Sequence, residues 1–141
     1  MELIKKRRED VYALFRIVIG LLFTCHGAQK LFGLFASGES AHMPAFGSWP
    51  GWWSGAIEFF GGAAVLLGVF THVAALICSG SMAYAYFVVH QPLGLWPIEN
   101  SGESAAIYCW AFLLIAFFGP GKYALSTLLQ RSKQREEQPI A

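Results

Sequence analysis

Charge is scarce in this sequence. Asp, Glu, Lys and Arg make up 13% of its 141 residues while 55% are hydrophobic, against roughly 25% charged residues in soluble domains. An ordinary soluble globular domain is excluded on that balance. The net charge of +1 leaves no basic field to draw in nucleic acid. Cysteine is sparse as well: Cys25, Cys78 and Cys109 stand singly, without a C-x-x-C pair or metal-ligand spacing. That excludes a disulfide scaffold and a dithiol redox centre, and it leaves no metal motif. Each cysteine reads as a small buried apolar side chain. A phosphate-cradling glycine loop, a nucleophile elbow and an H-E-x-x-H helix are absent too. The apolar runs contain no proline, since all six prolines fall between or beyond them.

What is there is a set of four apolar runs, at 11–34, 55–70, 73–89 and 104–118. A bilayer-spanning helix needs about 17–25 such residues, so the second and fourth are short. A basic stretch before an apolar run also suits a signal peptide. The length of the first run, Arg16 within it and the lack of a small-x-small cleavage site favour a retained span. The expected fold is an all-α membrane protein, a bundle of four transmembrane helices. Residues 1–10 form a basic N-terminal tail and 11–118 the membrane domain. A turn and a short amphipathic helix on the inner surface follow at 119–130, and a polar, basic tail at 131–141.

Orientation follows from where the ten basic residues sit. Lys5, Lys6, Arg7 and Arg8 cluster before the first run, and Lys122, Arg131, Lys133 and Arg135 follow the last. Segments 35–54 and 90–103 contain no Lys or Arg. The positive-inside rule therefore puts both termini in the cytoplasm, and Trp49, Trp52, Trp53 and Trp96 in outer loops at the membrane boundary. The turn at 68–72 is tight enough to make the second and third helices antiparallel neighbours. Small residues such as Gly61, Gly62, Ala75 and Ser79 allow close backbone approach in lipid.

An ionisable side chain inside a bilayer costs roughly 2.5–3.5 kcal/mol on insertion scales, so each needs a partner or a purpose. Five qualify: Arg16, His26, Lys30, Glu58 and Glu103. At a rise of about 1.5 Å per residue, Lys30, Glu58 and Glu103 lie within roughly 8 Å of the outer interface. His26 and Lys30, four residues apart, share a helix face with Gln29 beside them. Spacing and topology thus predict an outer-half polar cluster of His26, Gln29, Lys30, Glu58 and Glu103. Imidazole exchanges protons near neutral pH, which makes His26 a candidate donor or relay. Glu58, followed directly by Phe59, Phe60 and Gly61, is the charge least explained by structure. Arg16, near the inner end, reads as a structural charge snorkelling to headgroups. Asn100 and Glu103 also fit a capping box at the start of the fourth helix. A haem between His26 and His90 is a competing cofactor reading.

The residues RIVIGLLFTCHGAQKLFG, with Arg16, Gly20, His26, Gly27 and Lys30, are similar to a signature of the DoxX family. So are IEFFGGAAVLLGVFTHVAA with Glu58, Gly61, Gly62, Gly68 and Thr71, ENSGESAAIY, and FFGPGKYALS. The resemblance runs from about residue 15 to 125. It departs at His72, where relatives often carry Arg, and at Ser126, where Asp is common. It implies a bacterial inner-membrane protein tied to quinone-linked oxidoreduction, some relatives being membrane subunits of thiosulfate:quinone oxidoreductase and others linked to sulfur or oxidative-stress chemistry. A quinone headgroup needs hydrogen-bond donors, a proton-carrying group and an apolar aromatic slot. Glu58 and His26 would act on the proton, with Lys30, Gln29, Glu103 and Tyr108 binding and Phe59, Phe60 and Trp53 forming the slot. Electrons would come from a bound substrate or a redox partner subunit. Small-residue faces also allow a homo-oligomer. The alternative is a non-catalytic assembly module or small permeation protein, in which the same charges lock the bundle.

Overall fold

The computed structural model describes residues 2–35 and 43–136. Among these the chain is helical throughout its ordered elements. In order they are α1 (Glu2–Phe32), α2 (Gly51–Ala56), a π-helical turn (Ile57–Gly61), α3 (Gly62–Leu67), α4 (Thr71–Tyr84), a second π-helical turn (Ala85–His90), a 3-10 turn (Gln91–Leu93), α5 (Glu103–Phe118) and α6 (Leu125–Glu136). The helical path from α2 through α3 is continuous, as is that from α4 to Leu93, so the bundle consists of four rods with α6 at one end. Two rods, Lys6–Phe32 and Thr71–Leu93, are long and apolar enough to cross a membrane; Glu103–Phe118 is apolar but shorter. Residues 36–42, which include His42, and the last five residues of the expected C-terminal tail lie outside the described residues.

The helices begin and end at places the apolar runs do not mark. α1 starts at Glu2, so the basic N-terminal stretch continues the first rod rather than forming a separate tail. Its residues are good helix formers and need no apolar face to stay helical. α2 starts at Gly51, which puts Trp52 and Trp53 in its first turn rather than in a loop. α6 likewise runs on through the charged residues to Glu136, six beyond the expected end of the short helix.

Packing rests on backbones that touch. α1 lies against the π turn and α3, and α4 packs most extensively on α5. A Cβ on Gly20 would meet the Leu66 backbone nitrogen at 2.6 Å, and one on Gly62 would meet that of Thr24 at 2.7 Å. Only glycine permits this approach, and in lipid such contact replaces the hydrophobic drive that water supplies. Phe23, Val65, Ala75, Cys78, Phe112 and Ile115 fill the space between the rods. Phe23 tilts against Phe112 with ring centroids 4.5 Å apart. Many other large apolar side chains, such as Leu21, Leu76, Phe87 and Phe117, face outward, as a surface bathed in lipid requires.

Arg16 does not snorkel. It is fully buried, and its Nη1 donates to the carbonyl oxygens of Val65 (2.5 Å) and Leu66 (2.8 Å). Its Nη2 reaches the carbonyl of Tyr123 at 3.3 Å. Helix C-terminal carbonyls lack intrahelical donors and sit at the negative end of the helix dipole. The planar, multi-donor guanidinium satisfies them in place of headgroups. Gly68 ends α3 in the left-handed region at φ +72°, as a C-terminal glycine does. Its carbonyl accepts a 2.6 Å bond from Ser126 Oγ. Nearby, Tyr12 donates to the Gly119 carbonyl at 2.6 Å. Lys122 bridges Glu9 at 3.3 Å and Asp10 at 3.4 Å. The bond to Glu9, then the charge of Asp10, hold the Lys122 ammonium above the usual lysine range. The first turns of α1 and the start of α6 therefore lie at the same end of the bundle.

Replacing Arg16 with Met removes these donors and leaves carbonyl oxygens buried without them, which costs about 2–4 kcal/mol. The expected outcome is a clearly lower thermal midpoint of the detergent-solubilised protein by circular dichroism, with Arg16→Lys intermediate because an ammonium cannot reproduce the fork. Wild-type unfolding by Arg16→Met would remove the clamp from this account.

Candidate functional site

Glu58 sits in the π turn Ile57–Gly61, between α2 and α3. A π turn inserts one residue into the α repeat and changes which side chains face inward, and such turns occur often at functional sites. Here the carboxylate is brought inside the bundle, where Glu58 is 2% exposed. Gly27 on α1 lies directly against the Phe59 backbone, with no room for a Cβ. This approach carries Lys30, about one turn further along α1, to the same level. Lys30 Nζ donates to Glu58 Oε1 at 2.5 Å and to Ser54 Oγ at 3.1 Å. Ser54, four residues before Glu58 and so on the same helix face, donates to that same Oε1 at 2.8 Å. The other carboxylate oxygen, Oε2, is buried without a partner. Lys30 is half-exposed, so the pair joins α1 to the π turn while one end remains open to the outside of the bundle.

Glu58 lines a cavity of about 130 Å³ together with His26, Lys30, Ser54, His90, Ser104 and Tyr108. Phe23, Met82, Ala85 and Ala105 form its apolar wall. His26 and Tyr108 meet edge to face across it, centroids 5.8 Å apart at 85°. A larger groove of about 390 Å³ adjoins this cavity, lined by Trp49, Trp53, Ile57, Ile77, Tyr84 and Val89. The two share Lys30, Ser54, Ala85 and His90. At the groove, Trp49 Nε1 donates to Tyr84 Oη at 3.3 Å and the two rings lie edge to face. His90 ends the second π turn, and its Nδ1 lies 3.0 Å from the Asn100 carbonyl oxygen. The geometry thus combines a small polar chamber, centred on a carboxylate with one unpartnered oxygen, and an apolar aromatic groove between α2 and α4. A headgroup with a hydrocarbon tail matches that division.

Of the residues expected here, the structure brings together His26, Lys30, Glu58 and Tyr108. Gln29 does not line the cavity, because one position along α1 turns its side chain about 100° from Lys30. Glu103 is exposed at the first position of α5 and stays outside. The capping box does not form either: Gly102 is the N-cap. Buried Asn100 instead pins the preceding loop, accepting from the Gly102 nitrogen and donating to the Gly94 carbonyl, both at 2.8 Å. The slot differs from expectation as well. Trp53 lines the groove, but Phe59 packs on Phe32 and Phe60 is 65% exposed, and Trp49 and Tyr84 take their place. Ser54 is an addition, and His90, named from sequence only as a haem partner of His26, joins the same cavity. Ser54 was signalled by its four-residue spacing from Glu58, whereas His90 depends on the path of the π turn, which no periodicity marks.

Lys30→Met leaves Glu58 buried without its cation. Removing one partner of a fully buried pair costs roughly 3–5 kcal/mol, and the half-exposure of Lys30 reduces this to about 1–3 kcal/mol. The double variant Lys30→Met/Glu58→Gln is expected to unfold at a higher temperature than Lys30→Met alone, which a thermal melt in detergent measures directly.

Comparison with known proteins identifies the family. The DoxX family model matches residues 11–91. An uncharacterized protein of Haemophilus influenzae is 38% identical over 128 residues, covering 89% of this chain and 95% of that protein. The inner membrane protein YqjF of Escherichia coli is 32% identical over 130 residues, covering 89% of this chain and 98% of its own length. No solved structure matches the chain. With more than half of its length matched, the chain belongs to the DoxX family.

Proposed function

We propose that this protein is a quinone-binding component of the bacterial inner membrane, acting in quinone-linked oxidoreduction. In this reading all four rods span the bilayer, both termini are cytoplasmic and the polar chamber lies in the outer half. The name of the Escherichia coli relative supports the membrane. The basic clusters at the end of the bundle that holds Arg16, and loops free of Lys and Arg at the end that holds Glu58, support the orientation. The 51–67 and Glu103–Phe118 rods are each about 25 Å long at 1.5 Å per residue, slightly under the thickness of a hydrocarbon core.

The observation that carries the proposal is the buried, unpartnered Glu58 Oε2 in a small chamber that shares Lys30, Ser54, Ala85 and His90 with an apolar groove. A buried acceptor without a partner costs free energy, so a hydrogen-bonding ligand there is stabilised by satisfying it. Glu58 would accept a proton from the headgroup or hold it by a hydrogen bond. His26 would donate or relay protons, with Tyr108 against its ring, and the Lys30 ammonium would anchor the Glu58 charge. The groove lined by Trp49, Trp53 and Tyr84 would hold the first part of the tail and exclude water from the chamber. When a quinol is oxidised, its two protons would leave through Glu58 and His26 as two electrons pass to an acceptor in a redox partner subunit; when a donor such as a reduced sulfur compound supplies two electrons to a quinone, the same groups would deliver two protons to the headgroup. The Lys30–Glu58 bond, which ties two rods together, supports the second reading of a non-catalytic membrane assembly module.

Organic extraction and mass analysis of protein purified in native lipid distinguish the two. Quinone that co-purifies with wild-type protein and is lost from a folded Glu58→Gln variant is the expected result. Quinone-free wild-type protein, with Glu58→Gln affecting stability alone, favours the assembly module. For topology, a fluorescent protein fused after residue 141 is expected to fluoresce, and an alkaline phosphatase fused there to be inactive.

A further inference from the structure

The end of the bundle opposite the Glu58 chamber carries a second meeting of polar and apolar space, at Arg8. A cavity of about 520 Å³ there is lined by Arg8, Glu9, Tyr12, Phe118, Lys122 and Thr127. A groove of about 570 Å³ shares Arg8 and Tyr12 with it. Val11, Phe15 and Leu114 line the groove along α1 and α5, and Leu3 and Ile4 prolong it beyond Arg7 and Arg8. Tyr12 is fixed at the junction by its bond to the Gly119 carbonyl and by the Phe118 ring, 5.5 Å away.

Charge at this junction does not cancel. Lys122 bridges Glu9 and Asp10, and Arg7 lies 3.6 Å from Asp10. Arg8 is exposed, and among the described residues no carboxylate pairs with it. Two carboxylates thus face three cations, and the charge left over is positive. The sequence repeats the imbalance, with eight Lys or Arg against five Asp or Glu in segments 1–10 and 122–141. Depth agrees as well. Arg8 and Lys30 lie on one continuous helix, about 33 Å apart at 1.5 Å per residue, and a hydrocarbon core is about 30 Å thick. With Lys30 near the outer boundary, Arg8 falls among the inner headgroups. A basic pocket between helices at that depth, beside an apolar groove, suits a negatively charged lipid. We infer that this end binds one anionic phospholipid of the inner leaflet, its phosphate against Arg8 and an acyl chain along Val11, Phe15 and Leu114. The inference rests on the membrane orientation given above and not on the quinone site.

Native mass spectrometry of the delipidated full chain tests it, by titration in detergent with phosphatidylglycerol and with phosphatidylcholine of the same acyl chains. The first phosphatidylglycerol is expected to bind about fivefold more tightly, the effect of one Arg beside an anionic headgroup. Arg8→Gln is expected to abolish this preference. Lys6→Gln, in the same stretch of α1 but lining neither space, is expected to change it less than about twofold. Leu114→Trp fills the groove and is expected to weaken binding of both lipids about fivefold. All three side chains are exposed, so the variants keep the fold. Equal binding of the two lipids by wild-type protein overturns the inference. So does a loss in Lys6→Gln as large as in Arg8→Gln, which reduces the site to a diffuse attraction of the basic end for anionic lipid. Unchanged binding by Leu114→Trp also overturns it, because no chain then lies in the groove. Protein that binds no quinone but keeps the phosphatidylglycerol preference overturns the proposed function and leaves the lipid site standing.

Discussion

A carboxylate enclosed among helices is withdrawn from bulk water, so it must be held by hydrogen bonds within its site. Glu58 is 2% exposed and is served on one oxygen only. That constraint determines what surrounds it. Lys30 must be brought level with it, which requires α1 to touch the π turn, which in turn requires glycine at position 27. Ser54 must lie one turn earlier on the same face. Arg16 imposes the same demand at the other end of the bundle, about 20 Å away along α1, and meets it with backbone carbonyls instead of a counter-charge. The two buried charges are met differently: Arg16 is served by backbone carbonyls, with Nε left unpartnered, and Glu58 by side chains, with one end of its ion pair open.

The half-open site is where departures from regular helix collect. Each of the two π turns supplies one polar residue to the chamber, Glu58 and His90, and the groove between α2 and α4 is lined by residues of both turns. Ordinary α-helix in either rod would displace these side chains around the axis by part of a turn. Tryptophans that the bilayer favours at its boundary also wall the groove. Anchoring in the membrane and shaping the proposed tail site are thus carried by the same residues.

Much of this was legible in the sequence because membrane burial makes each ion conspicuous. Lys30 and Glu58 stand out from apolar runs, and spacing alone places His26 beside Lys30. The four helical rods follow from the same runs, and the residues of the DoxX signature point to the family that the comparisons establish. What was not legible depends on helix phase and local bonding. Glu103 looked like a cluster member because depth was known and direction was not, and α5 starting at Glu103 turns it outward. Asn100 looked like a cap, but its side chain bonds backbone within its own loop. Arg16 looked like a snorkelling cation because the carbonyls it serves come from residues 49 and more positions away. His90 was named only as a partner of His26 for a haem, because no periodicity marks the π turn that carries it to Glu58.

The proposed quinone site places a headgroup in the chamber lined by Glu58 and His90 and its tail in the α2–α4 groove. Photolabelling with a tail-azido quinone, followed by peptide mapping of the purified full chain, tests it most directly. Label is expected on the 51–67 and Thr71–Leu93 segments, displaced by excess unlabelled quinone and diminished by Glu58→Gln. Label confined to the inner end of the bundle, around Tyr12 and α6, or label that excess quinone does not displace, would contradict it.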